Sequence, residues 1–416
     1  MTKKINNIER KNFIWNFLGL TINSFNSLFY LVIINRINGG KEAGIFTFAF
    51  SLITLFYFIG IYFNRAYQIS TDKYNNKEFL INRFISCILM LLVCVVFCVV
   101  KNYSFYKIMI IMLICIFRLL EAFADIFYGM EHKNGLLYKA GKSMFYKSIL
   151  SLIGFLICDL LTHNIILSII IIIIINIIGI IFYDIKNSKK YIEKEYKWKN
   201  VLAIYKIALP IFIFSFLNVY LVNASKYSLD NYSTAEIQNI FGIILMPGTI
   251  ISLFSAYITN PYVVDLKNSY KKRDIKSFNK IVIKLSAYIF IFGLLCIAGI
   301  YIAGVPLLKL LYGISLEKYK IELVLVIIGA IFLTLASVIS AALTIIEKNY
   351  IQMYIYIVDA IITFFLVEYL VSNYKIFGAS LEYMLIMIIH YIIFMFCYLF
   401  NYGKIKKKGK LVWKKE

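Results

Sequence analysis

Windows of about 20 apolar residues recur along this chain from its first segment to its last, and no other feature restricts its fold so strongly. Each window is long enough to cross the roughly 30 Å hydrocarbon core of a bilayer as a helix. Inside that core no water bonds the backbone, so a spanning segment must satisfy its own N–H and C=O groups, as a helix does. The run Ile169–Ile175 is seven isoleucines without interruption; it is packing or lipid-facing helix and carries no chemistry. The chain is 61% hydrophobic and 16% charged, with mean hydropathy +0.80, which excludes the soluble globular classes. These features predict an all-α polytopic membrane protein.

Twelve spans are expected, near 13–35, 44–64, 80–100, 106–128, 140–160, 164–185, 204–226, 237–260, 280–302, 321–346, 350–371 and 377–402. With both termini placed in the cytoplasm, and the five lysines at span ends (Lys107, Lys142, Lys206, Lys226 and Lys280) counted with the adjoining loops, cytoplasmic segments hold 31 Lys and Arg, external loops 9, and the span interiors 4. That asymmetry follows the positive-inside rule and fixes the orientation. The longest basic connection, Lys186–Asn200, falls near the midpoint. It divides the chain into two six-helix lobes, 1–190 and 191–416. A faint echo between Glu42–Leu52 and Ile237–Pro247 agrees with halves that run parallel.

The net charge of +22 would point to nucleic acid in a soluble chain. Here the basic residues cluster between apolar spans, where they set topology and meet headgroups. The seven cysteines all lie in apolar segments without a C-x-x-C pair, and the three histidines are scattered. Neither disulfides nor a metal site is expected. The chain has no Walker motif, no G-x-S-x-G and no large external loop, so the pattern indicates a transporter rather than an enzyme.

The informative residues are the charges inside the oil. Span four carries Arg118, Glu121 and Asp125, which fall within an arc of about 60° on one helix face. Arg118 lies near the bilayer centre, where a charge costs at least about 2.5–3.5 kcal/mol, so the face must look into protein or water. Two readings stay open. Arg118 and Glu121 form an i,i+3 ion pair, or the arc lines a polar path in the first lobe, with Asp125 left over or solvated at the cytoplasmic end. Lys147 in span five either snorkels or faces a cavity. In span eleven Asp359 is central and a cavity candidate, with Glu368 nearer the outer end. Asn16, Asn23 and Asn26 line a path or bridge helices. His390 reads as a packing residue, and Lys284 and Arg83 as snorkelling ones. The inventory leans cationic, which suits an anionic substrate such as a phosphate-bearing lipid.

Four stretches, in order along the chain, carry a family resemblance: "NRINGGKEAGIFTFAFSL" with "NRAYQIST", "ADIFYGMEHKNGLLYKAGKSMFYKSILSL", "NASKYSLDNYSTAEIQNIFGIILMP" and "FGASLEY". Together they resemble the polysaccharide repeat-unit flippases of the Wzx type (O-antigen and capsule), within the multidrug/oligosaccharidyl-lipid/polysaccharide exporter superfamily. One departure is Thr71 after Ser70, where an acidic residue is common. The resemblance implies a fold similar to the multidrug and toxin extrusion transporters, two lobes around a central cavity, and alternating access. It implies an undecaprenyl-pyrophosphate-linked oligosaccharide as substrate, moved to the outer leaflet of the bacterial cytoplasmic membrane. It implies surrounding membrane lipid, a polysaccharide polymerase and a chain-length regulator as partners, and no cofactor beyond coupling to an ion gradient. Carried onto this sequence, the matched motifs point to Arg36, Arg65, Lys142, Lys226 and Asp230 as further path or gate residues. A multidrug efflux pump, a peptidoglycan-precursor flippase and a repeat-unit polymerase are the rival expectations.

Overall fold

A computed structural model describes residues 2–62 and 64–412, and they are almost wholly helical. Seven helices precede the midpoint: α1 (Thr2–Ile37), α2 (Gly40–Ile61), α3 (Asn64–Ser70), α4 (Asn76–Lys101), α5 (Phe105–Lys133), α6 (Leu137–Thr162) and α7 (Ile165–Gly179). A π-helical turn, Ile180–Ile185, extends α7 into the short α8 (Lys186–Ser188). The rest comprises α9 (Trp198–Tyr232), α10 (Ala235–Lys271), α11 (Ile275–Gly299), α12 (Val305–Tyr312), α13 (Lys320–Ile345) and α14 (Asn349–Val412).

Among the described residues, ten helices are long and apolar enough to cross a membrane. Two more crossings follow from local facts. One is α5, which carries Arg118, Glu121 and Asp125 near its middle, yet whose 29 residues exceed a bilayer's need. The 64-residue α14 contains a non-helical residue, Lys375 (φ 50, ψ −125), which divides it where spans eleven and twelve were expected to part.

The ends of the helices are written locally. Asn75 caps α4 with a full capping box, accepting from the Glu78 N–H while Glu78 accepts from its own. Ser104, Asn164, Thr234 and Asp274 cap α5, α7, α10 and α11. Asp274 lies outside the spans, and its bonds to the Ser277 N–H and side chain hold its carboxyl below the usual range.

The chain forms two compact units, one ending at Phe216 and the other beginning at Leu217. The division falls inside α9, later than the boundary expected at 190/191. The first half of α9 is bound to the N-terminal unit: the Tyr205 hydroxyl bonds the Asn82 carbonyl at 2.8 Å and Ser86 at 2.9 Å, and Phe212 stacks on Tyr62 with centroids 4.4 Å apart.

Within the first unit α1 lies along α6, α5 is packed by α2, α3, α4 and α7, and α7 returns on α6. Glycine permits the α1–α6 approach. A Cβ on Gly141 would stand 2.4 Å from the Trp15 backbone, and one on Gly19 2.4 Å from the Gly141 carbonyl oxygen. Both contacts are backbone, so neither neighbour yields. In the second unit α13 packs on α14, α10 and α11.

A charged cavity inside the N-terminal unit

Four of the expected residues of the first unit, Arg65, Glu121, Asp125 and Lys147, line one cavity of about 150 Å³. The helix α1 contributes Asn23 and Asn26, α2 Tyr57, α3 Arg65, α5 Glu121, Asp125 and Tyr128, α6 Lys147, Ser148 and Ser151, and α7 Asn176. A second, more open space of about 420 Å³ shares Leu20, Arg65 and Asp125 with it and continues past Asn16 and His132. The expected orientation puts that continuation on the cytoplasmic side.

Asp125 is the hub. Its Oδ1 accepts from Arg65 Nη1 and its Oδ2 from Arg83 Nη2, each at 3.0 Å. The leftover or solvated Asp125 of the sequence reading is thereby corrected: it carries two guanidiniums. Arg83 is corrected as well. It does not snorkel; it is fully buried and also reaches the Gly60 carbonyl at 3.5 Å. Arg83 lies two turns into α4, where it faces α5 rather than the membrane surface, and a partner carboxylate offsets its burial. Arg65 keeps 24% side-chain exposure and faces the cavity, with Tyr128 beneath its guanidinium at 5.8 Å.

Arg118 and Glu121 form the i,i+3 pair, 2.5 Å apart. Glu121 lines the cavity and Arg118 stands behind it, its guanidinium 4.2 Å from the Tyr57 ring centroid and 5.4 Å from that of Phe50. The ion pair of the first reading is formed, and Glu121 with Asp125 lines the cavity.

Lys147 does not snorkel. It is buried, donates to Asp184 Oδ2 at 2.8 Å, and lies 5.2 Å from the Tyr128 ring centroid. Two features of α7 make this possible. Gly179 leaves room for the lysine stem, since a Cβ there would lie 2.5 Å from Lys147 Cδ. Asp184 lies within the π turn Ile180–Ile185 that follows, a local widening of the helix often found at functional sites.

The cavity's charged lining and its ion-pair partners comprise four cations (Arg65, Arg83, Arg118, Lys147) and three carboxylates (Glu121, Asp125, Asp184). One positive charge is in excess. Its most accessible bearer is Arg65, because Asp125 is already held by Arg83. Beyond this lining, at the end of α5, Glu131 is a further buried carboxyl with neither oxygen hydrogen-bonded.

The remaining expected residues lie elsewhere. Arg36 is exposed in the last turn of α1. Lys142 lines a separate groove between α6 and α7. Lys226 and Asp230 are half-buried on α9 in the second unit. Asp359 is fully buried there, with its Oδ2 2.6 Å from His390 Nδ1. His390 thus has a carboxylate partner in addition to its packing on Tyr356 and Phe394. Glu368 accepts from the Tyr232 hydroxyl. The sequence reading missed Asp184 altogether, because it stands at the very end of span six, where a charge meets the membrane surface, and it passed over Tyr57 and Tyr128, which are ordinary aromatic residues in sequence. The pairing of Arg83 with Asp125 had a signal, since each is an intramembrane charge in need of an opposite.

No protein-family model matches the chain. Over 330 residues it is 25% identical to the capsular polysaccharide biosynthesis protein CapF of Staphylococcus aureus, across 78% of this chain and 82% of that one. The lipid II flippase MurJ, in its inward closed conformation, is structurally similar with a TM-score of 0.73 at 15% identity, over 94% of this chain and 90% of MurJ. An outward-facing multidrug resistance MATE family transporter of the MOP superfamily has a TM-score of 0.68 at 12% identity, over 96% of each chain. The chain therefore has the fold of MOP-superfamily transporters, as the sequence resemblance implied; identity this low carries the fold and not the substrate.

Proposed function

We propose that this chain is a flippase that moves an undecaprenyl-pyrophosphate-linked oligosaccharide from the cytoplasmic to the outer leaflet, for capsule-type polysaccharide assembly, by alternating access. The observation that carries the reading is the cavity of the first unit, where cations outnumber carboxylates and Arg65, the most accessible of them, stands among asparagines and serines. Anionic phosphates are held by guanidiniums through charge-assisted bonds, and sugar hydroxyls by amides and hydroxyls. A cavity suited to cationic drugs would carry the opposite surplus. The relative named for capsular polysaccharide biosynthesis and the structural neighbour named a lipid II flippase support the same substrate class. In this reading the chain sits in the bacterial cytoplasmic membrane with both termini inside, works beside a polymerase and a chain-length regulator, and draws on an ion gradient.

The test is deletion of the gene followed by assay of lipid-linked repeat units sorted by leaflet. Accumulation of single units on the cytoplasmic face, relieved by the wild-type chain and not by Arg65→Ala at equal protein level, supports the reading. Accumulation of unpolymerised units on the outer face assigns the chain to a later step and refutes it.

A further inference from the structure

A groove of about 420 Å³ runs between α6 and α7, separate from the polar cavity. Along α6 it follows Lys142, Tyr146, Leu150 and Gly154, and its α7 wall includes Ile175 and Ile178. The residues from 142 to 154 cover about 18 Å of helix, close to one leaflet of a roughly 30 Å hydrocarbon core. Apart from one end, the walls are aliphatic. Tyr146, Leu150 and Ile178 are each half or more exposed, so the groove opens outward from the α6–α7 pair.

The exceptional end is basic. Lys142 is half-buried, and among the described residues its ammonium faces rings rather than a carboxylate, 5.0 Å from the Trp15 centroid and 6.0 Å from that of Tyr138. Lys139, one turn earlier on α6, donates to Asn187 at 2.9 Å. That bond places the N-terminal end of α6 beside the exposed Lys186, Lys189 and Lys190 that follow the π turn. The same end lies at the cytoplasmic surface in the orientation set by the charge asymmetry, where anionic lipids meet basic clusters. Lys147 closes the groove from the cavity side: its stem crosses Gly179 while its ammonium is held by Asp184.

We propose that this groove is a binding site for one anionic phospholipid, its acyl chain along Leu150–Gly154 and Ile175–Ile178 and its phosphate at Lys142. Charge complementarity decides the occupant, because an uncharged lipid gains only the aliphatic walls and a zwitterionic one has its own cation to offset its phosphate at the basic end. The site stands independently of the transported substrate.

The test uses the purified full chain, delipidated in detergent, with phosphatidylglycerol and phosphatidylcholine of identical chains, and native mass spectrometry to count retained lipid. One phosphatidylglycerol per chain is expected, preferred about fivefold over phosphatidylcholine, which is the worth of one lysine–anionic lipid contact. Lys142→Gln should erase the preference while leaving the apolar part of the affinity. Ile178→Trp, which fills the groove from its exposed side, should weaken both lipids. Equal retention of the two lipids by the wild type, or a preference that survives Lys142→Gln, overturns the site. Displacement of phosphatidylglycerol by undecaprenyl phosphate at lower concentration also overturns it, by giving the groove to a polyprenyl chain.

Discussion

Arg83 and Arg65 share one carboxylate, and their burial differs enough to separate structure from function. Replacing Arg83 with Ala removes a fully buried guanidinium 3.0 Å from Asp125 Oδ2. Breaking a buried pair by deleting one partner costs about 3–5 kcal/mol, and the void left by so large a side chain adds to that. Asp125 keeps Arg65, which places the expected loss at about 3–4 kcal/mol. Arg65→Ala removes a guanidinium that is 24% exposed, and Asp125 keeps its buried partner, so its cost approaches the surface value of about 1 kcal/mol. The double replacement Arg83→Met with Asp125→Asn removes both buried charges and should recover most of the loss, since a buried pair exchanged for neutral groups of similar volume is often close to neutral. Denaturant midpoints of the purified proteins in detergent, with the monodisperse fraction on gel filtration, provide the comparison. If Arg83→Ala is no less stable than Arg65→Ala, or if the double variant loses the sum of its parts, the shared-carboxylate account is wrong.

Three further outcomes follow from the same geometry. Lys147→Met should destabilise the first unit by leaving Asp184 buried and unpaired, and Lys147→Met with Asp184→Leu should be more stable than the single variant; thermal midpoints decide it. In the second unit, Asp359→Leu and His390→Phe should each cost about 1–3 kcal/mol by orphaning the other, and together less than their sum, which a double-mutant cycle measures. Gly141→Ala should lower the yield of folded protein, with a cost of about 1–3 kcal/mol for overpacking, because a Cβ there meets the Trp15 backbone at 2.4 Å. Gly299→Ala is the control, since a Cβ at Gly299 meets nothing within 4 Å and the helix gains about 0.5–1 kcal/mol.

The crossing helices were legible because apolar windows of bilayer length are a strong signal, and even the break inside α14 lay between two expected spans. The acidic half of the cavity was legible as well: Glu121 and Asp125 lie on one face of α5, and Asn23 and Asn26 on α1 look into the same space. What stayed hidden was partnership. Arg83 and Lys147 each lie within reach of a membrane surface by count of residues, so snorkelling explained Arg83 and stayed open for Lys147 until Asp125 and Asp184 were placed beside them. Asp184 depends on a π turn, which has no period that hydropathy reads. Lys186–Asn200 has the composition of a linker, and the contacts of Tyr205 and Phe212 bind the half-helix that follows it to the first unit. Arg36, Lys226 and Asp230 entered through motif resemblance alone, and none of them is among the residues that line the N-terminal cavity.

The central claim is that this chain carries a pyrophosphate-linked lipid across the bilayer through a cavity whose most accessible cation is Arg65. The most direct measurement reconstitutes the purified chain into liposomes with a fluorescent undecaprenyl-pyrophosphate oligosaccharide and follows the accessibility of the label from outside over time. The account predicts rapid exchange between leaflets with the wild type and background exchange with Arg65→Ala, the two proteins being equally folded. Exchange at the wild-type rate with Arg65→Ala would contradict it.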